Sequence, residues 1–111
     1  MTKAKLTVGS FVEVPVYCFA PERRGWNGWQ FAIGQIVKVG KTKSGKTAAV
    51  VECYWNGEVT KTFTADRIFD ASLTIGLKQR FVDDLTAEEF ESCCGKKQLD
   101  WLLNRGAITK N

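Results

Sequence analysis

The chain has 111 residues, 44% of them apolar and 25% charged, with a net charge of +4. One domain's length and an ordinary globular composition exclude a chain that is mainly disordered and a large multi-lobed enzyme. The apolar runs are too short for a membrane-spanning helix, and the N-terminal MTKAKLTVGS lacks the apolar stretch of a secretion signal. A cytoplasmic, intracellular protein with no membrane contact is therefore expected. The charge is uneven. Residues 1–70 carry ten basic side chains against six acidic ones, whereas residues 71–111 balance at six each. A basic first two-thirds favours phosphate groups or acidic surfaces as partners.

Residues 1–7 read as a flexible N-terminal tail. In FVEVPVYCF, Val12, Val14, Val16 and Cys18 alternate with Glu13, Pro15 and Tyr17. That period of two predicts a strand, and Pro15 marks it as an edge or a bulged one. APERRGWNGW holds Pro21, Gly25 and Gly28 and reads as a loop carrying Arg23, Arg24, Trp26 and Trp29. QFAIGQIVKV predicts a second strand with a bulge at Gly34. GKTKSGK is a glycine-bounded basic connection, AAVVECYW a third strand, and EVTKTFT the strand returning from an Asn56-Gly57 hairpin turn. A two-residue turn sets Trp55 opposite Glu58, Tyr54 opposite Val59, Glu52 opposite Lys61 and Val50 opposite Phe63. In that register neither face of the hairpin is cleanly polar, so both are expected to be covered. ADRIF reads as a short turn with a final strand or 3₁₀ segment.

Beyond Phe69, Leu73, Ile75 and Leu77 suggest a short extended piece. Thr86 and Glu89 have the spacing of a capping box, which predicts a helix from there to about Cys94, broken by Gly95. A second helix is expected over about 96–104. Leu99, Leu102 and Leu103 supply its apolar stripe and Gly106 its stop.

The order of these residues carries a resemblance. Val8-Gly9 leads into Val12-Glu13-Val14, and Gly28-Trp29 precedes Ala32, Ile36 and Val37. Val50-Val51, Tyr54, Asn56-Gly57 and Asp66-Arg67-Ile68 follow. This pattern resembles the SH3-like barrels of the Tudor and agenet group over residues 8–70. The resemblance implies a mainly β fold: an SH3-like (Tudor-like) antiparallel barrel at 8–70, with residues 71–111 forming two short C-terminal helices packed on it. Such barrels often bind methylated lysine or arginine in an aromatic cage. Trp26, Trp29, Tyr54 and Trp55 are the positions that match this role, with Glu52 or Glu58 as a supporting carboxylate. The two-residue turn places Tyr54 and Trp55 on opposite faces, so one of the two rings is expected to belong to a core. Gly34-Gln35-Ile36-Val37 also resembles a stretch of the type II dihydrofolate reductases, but the val-gln-ile-tyr run of their pore is missing.

Residues 40–47, GKTKSGKT, match the phosphate-loop pattern G-x-x-x-x-G-K-[ST] letter for letter. A working phosphate loop is followed by a helix whose N-terminus faces the phosphates. Here a β-branched, aromatic segment follows, so a hairpin connection is expected and no nucleotide site. The chemistry of its side chains remains. Lys41, Lys43 and Lys46 share one loop, and Arg23 and Arg24 sit beside Trp26, a mixture suited to phosphates and unstacked bases.

Cys18, Cys53, Cys93 and Cys94 form no C-x-x-C pair, and the chain has no histidine. Reduced thiols are expected, Cys18 and Cys53 in the core, with no metal and no cofactor. Without histidine or paired catalytic carboxylates the chain reads as a non-enzymatic binding module. The leading ligand class is nucleic acid or a nucleoprotein, met by the basic loops. A protein or peptide reader using the aromatic surface is the alternative, and a small reductase-like barrel the third reading.

Overall fold

The alternating valines do what their period dictates. Val12, Val14 and Val16 are buried on one face of β1 (Phe11–Ala20). They face Ala32 and Ile36 of β2 (Trp26–Lys41) and Ala49, Val51 and Cys53 of β3 (Thr47–Tyr54) in one core cluster. Phe63 of β4 (Glu58–Thr64) and Ile68, which precedes β5 (Phe69–Asp70), complete it. This computed structural model describes residues 2–20, 26–55 and 57–110, with side chains at 2–16, 30–55 and 57–110. Three helices follow the sheet: α1 (Ser72–Asp83), α2 (Ala87–Ser92) and α3 (Lys96–Asn104). The fold is mainly β, and among the described residues no helix is long and apolar enough to cross a membrane.

The strands form one antiparallel sheet in the order β4-β3-β2-β1-β5. The pairing leaves β4 and β5 as its two edges, so the closed barrel expected from the sequence is not what the hydrogen bonds describe. β5 is two residues long, pairs with β1 and is bridged through Phe69 to Lys3; a 3₁₀ turn at Ala65–Arg67 separates it from β4. The chain divides into residues 1–71, which hold the sheet, and 72–111, which hold the helices. The N-terminal residues expected as a tail run along β5: the Ala4 amide donates to the Ile68 carbonyl, and the Asp70 amide to that of Thr2.

Four expectations need correction. Trp26–Trp29 belong to β2 and not to a loop, because the pairing of β1 with β2 continues from Phe11↔Gln35 to Ala20↔Trp26. The β3–β4 register is shifted by one residue: Tyr54 faces Glu58, Glu52 faces Thr60 and Ala49 faces Phe63. The connection holds three residues, with Gly57 at φ +129° and the Trp55 amide bonded to the Gly57 carbonyl. The slip gathers the apolar side chains. Ala49, Val51 and Cys53 now share the core side with Val59 and Phe63, with the exposed Lys61 opposite Val51 as the charged exception, while Glu58, Thr60 and Thr62 all fall on the outer side. The bulge lies at Val37 and not at Gly34, since Ile36 faces Val51 while Lys38 faces Val50. Finally, residues 72–83 are helical, giving three helices and not two. Leu73, Ile75 and Leu77 alternate as in a strand. Ile75 and Val82 also lie seven apart, two helical turns, and Val82 is buried in α1.

The helical unit has its own fastenings. Gln79 receives the Thr109 amide at 2.8 Å and donates to the Thr109 carbonyl at 2.8 Å, which ties the C-terminal residues to α1. The capping box is formed as its spacing predicts: the Glu89 amide donates to the Thr86 hydroxyl, and the Thr86 amide to the Glu89 carboxylate. These bonds from Thr86 hold the Glu89 carboxyl below the usual glutamate range. The bond to the carboxylate is therefore in place above about pH 4.3 and is lost as pH falls through the lowered value. Thr86→Ala should cost about 1 kcal/mol, measured by urea denaturation followed at 222 nm, and Thr86→Ser should restore it.

Candidate nucleic-acid interface

The GKTKSGKT segment closes the β2–β3 hairpin, with Lys41 paired to Thr47 across its base. Inside the loop the Thr42 amide donates to the Lys46 carbonyl at 2.8 Å, and the Gly45 amide to the Thr42 carbonyl at 2.9 Å. The Lys46 amide donates to the Thr42 hydroxyl at 3.2 Å. A phosphate cradle needs such amides to point outward at the ligand. Here the loop uses three of them on itself, and strand β3 follows where a helix would stand.

What the turn presents instead is its side chains. Lys41, Lys43 and Lys46 are all exposed. Among the described residues, Lys41 and Lys43 have no hydrogen-bonding or ion-pair partner, and neither has Lys38, four residues before the loop. Lys46 lies in the field of Asp66. That carboxyl sits below its ordinary range because the Thr64 hydroxyl donates to it and because Lys3 and Lys46 are near. Lys38 reads from sequence as an ordinary strand residue. Only the bulge at Val37, which pairs it with Val50 on the outer side, brings it into this group.

The aromatic candidates stand apart from these lysines. Tyr54 ends β3 seven residues after Thr47, roughly 20 Å away at the rise of a strand. Trp55 packs against the core cluster, while Tyr54 alternates to the other face and is half-buried. Trp26 and Trp29 lie at the far end of β2, paired with Ala20 and Tyr17; their side chains fall outside the described residues. Arg23 and Arg24 also fall outside them. The lysine loop and the ring-bearing end are therefore at opposite ends of the sheet, and a ligand touching both would have to run along it.

Cys53 is fully buried between Val51 and Val59 in the core, and burial pushes its thiol up, opposed by the charge of Lys61. Cys94 is exposed. Since the thiolate is the reactive form, Cys94 should alkylate within minutes at pH 8, while Cys53 should react only as fast as the sheet opens. Peptide mass spectrometry over a time course reads this directly. Among the described residues no group of His, Cys, Asp and Glu side chains has the geometry to hold a metal ion. Comparison of the chain with family models, with curated proteins and with solved structures gives no match.

Proposed function

We propose that this protein is a non-enzymatic module of the SH3-like kind, a reading supported by the residue pattern over 8–70, that binds nucleic acid or a nucleoprotein. The observation that carries the reading is the β2–β3 hairpin: a tight, self-bonded turn that holds exposed, unpaired lysines in one place. A partner rich in phosphate answers that arrangement, because each neutralised phosphate releases a counterion. Among the described residues no acid is paired with Lys41 or Lys43, so the charge is directed outward.

The test is a titration of fluorescent single-stranded and duplex oligonucleotides at several salt concentrations. Three lysine contacts should give a log–log salt slope of about −2 to −3, steeper for the duplex. Lys43→Ala should weaken all sequences alike and flatten the slope by about one unit. Absence of binding at low salt would overturn this reading and leave recognition of a protein or peptide in its place.

A further inference from the structure

The outer face of β2–β3–β4 contains a depression, and its origin is visible in the strand pairing. One row across the three strands reads Lys38, Val50, Thr62. The neighbouring row opens with Gly40 opposite Ala48, two positions with almost no side chain. Large residues in one row and small ones in the next leave a cavity of about 190 Å³. Ala48 and Val50 are among its lining residues, together with the basic Lys38 and, at the base of the hairpin, Lys41, and with the hydroxyl-bearing Thr62. The Val37 bulge makes this possible. Without it Lys38 would fall on the face of Ile36, which is buried in the core.

We propose that this cavity is a phosphate subsite, the place where one backbone phosphate of a nucleic acid is seated; the proposal rests on the nucleic-acid reading and sharpens it. Two lysines and a threonine among the lining residues match a phosphate's charge and its acceptor oxygens. No aromatic ring lines the cavity, so it has no stacking platform for a base. Contact there is to the backbone and is blind to sequence.

Gly40 supplies a variant that separates a shaped site from diffuse charge. A Cβ added at Gly40 meets nothing within 4 Å, so Gly40→Val fills open space without crowding the strand and leaves every lysine in place. Lys38→Ala, at an exposed position, removes charge and leaves the shape. The full chain is titrated with inorganic pyrophosphate and separately with a twelve-residue oligothymidylate, followed by amide chemical shifts and by fluorescence. The amides of Gly40, Lys41, Ala48, Val50 and Thr62 should shift with both probes. Each variant should weaken oligothymidylate binding roughly 5-fold at 0.1 M salt and flatten the salt slope by about 0.7, the value of one single-strand contact. If the oligonucleotide binds but Gly40→Val binds as tightly as wild type, the subsite is wrong and the nucleic-acid reading stands. If pyrophosphate shifts these amides and no oligonucleotide binds, the subsite stands as a phosphate site and the nucleic-acid reading fails. If neither probe acts, both fail.

Discussion

Replacing Gly34 with alanine should destabilise the sheet by about 1–3 kcal/mol, the usual cost of overpacking, and Gly34→Val should keep it from folding. A Cβ at this position would lie 2.4 Å from Val51 Cγ1, 2.9 Å from Cys53 Cβ and 2.9 Å from the Glu52 carbonyl oxygen. None of these neighbours has room to give way. Val51 and Cys53 are fully buried, and Gly34 is paired with Val12 on one side and Cys53 on the other. The sign makes the experiment informative. A glycine in a strand interior ordinarily weakens it, so alanine there should help unless backbones or side chains approach too closely. Against a total stability of about 5–15 kcal/mol for a domain of this size, the loss is large. Urea denaturation followed by tryptophan fluorescence measures it. A Gly34→Ala protein as stable as wild type would show that β2 and β3 are not packed at this spacing.

The second large effect concerns binding. Removing the charge of Lys41, Lys43 and Lys46 together should lower affinity for any oligonucleotide by roughly 100-fold at 0.1 M salt, because each lost phosphate contact forfeits about 0.7–0.9 of a decade there. That is about 3 kcal/mol. The side chains are exposed, and the turn is held by bonds between Thr42, Gly45 and Lys46 that involve only backbone groups and the Thr42 hydroxyl. The denaturation midpoint should therefore stay where it is while binding falls. The loss should shrink as salt rises and almost vanish near 1 M, where little counterion release remains to be gained. An equal loss at all salt concentrations would point to lysines that shape the loop and do not touch phosphate.

The site was legible in part. The lysine loop is written in consecutive residues, and its being a hairpin followed from the β-branched segment after it. The depression beside it was not legible, because Lys38, Gly40, Ala48 and Thr62 meet only through two strand registers. The aromatic candidates show the same limit. Their types are plain in the sequence. That Trp55 joins the core, and that Tyr54 stands at the far end of β3 from the lysines, depends on how the strands are laid side by side.

What the sequence determined by itself is what is encoded within one turn or one strand. The alternation of Val12, Val14 and Val16 fixed the buried face of β1, and the Thr86–Glu89 spacing fixed the start of α2. Gly95, at φ +83°, marked the break before α3. Each of these is a contest between neighbouring residues and their own backbone. The tertiary structure decided the β3–β4 register, the bulge at Val37, the edges of the sheet and the helical state of residues 72–83. In each of these the local alternatives are close in energy: a two- or three-residue turn, a bulge at one position or three further on, an alternation that suits strand and helix alike. The choice falls to burial. One register puts Phe63, Val59 and Cys53 on the core side together, and one helical phase buries Val82, so contacts between residues far apart in the chain select what local preference leaves open.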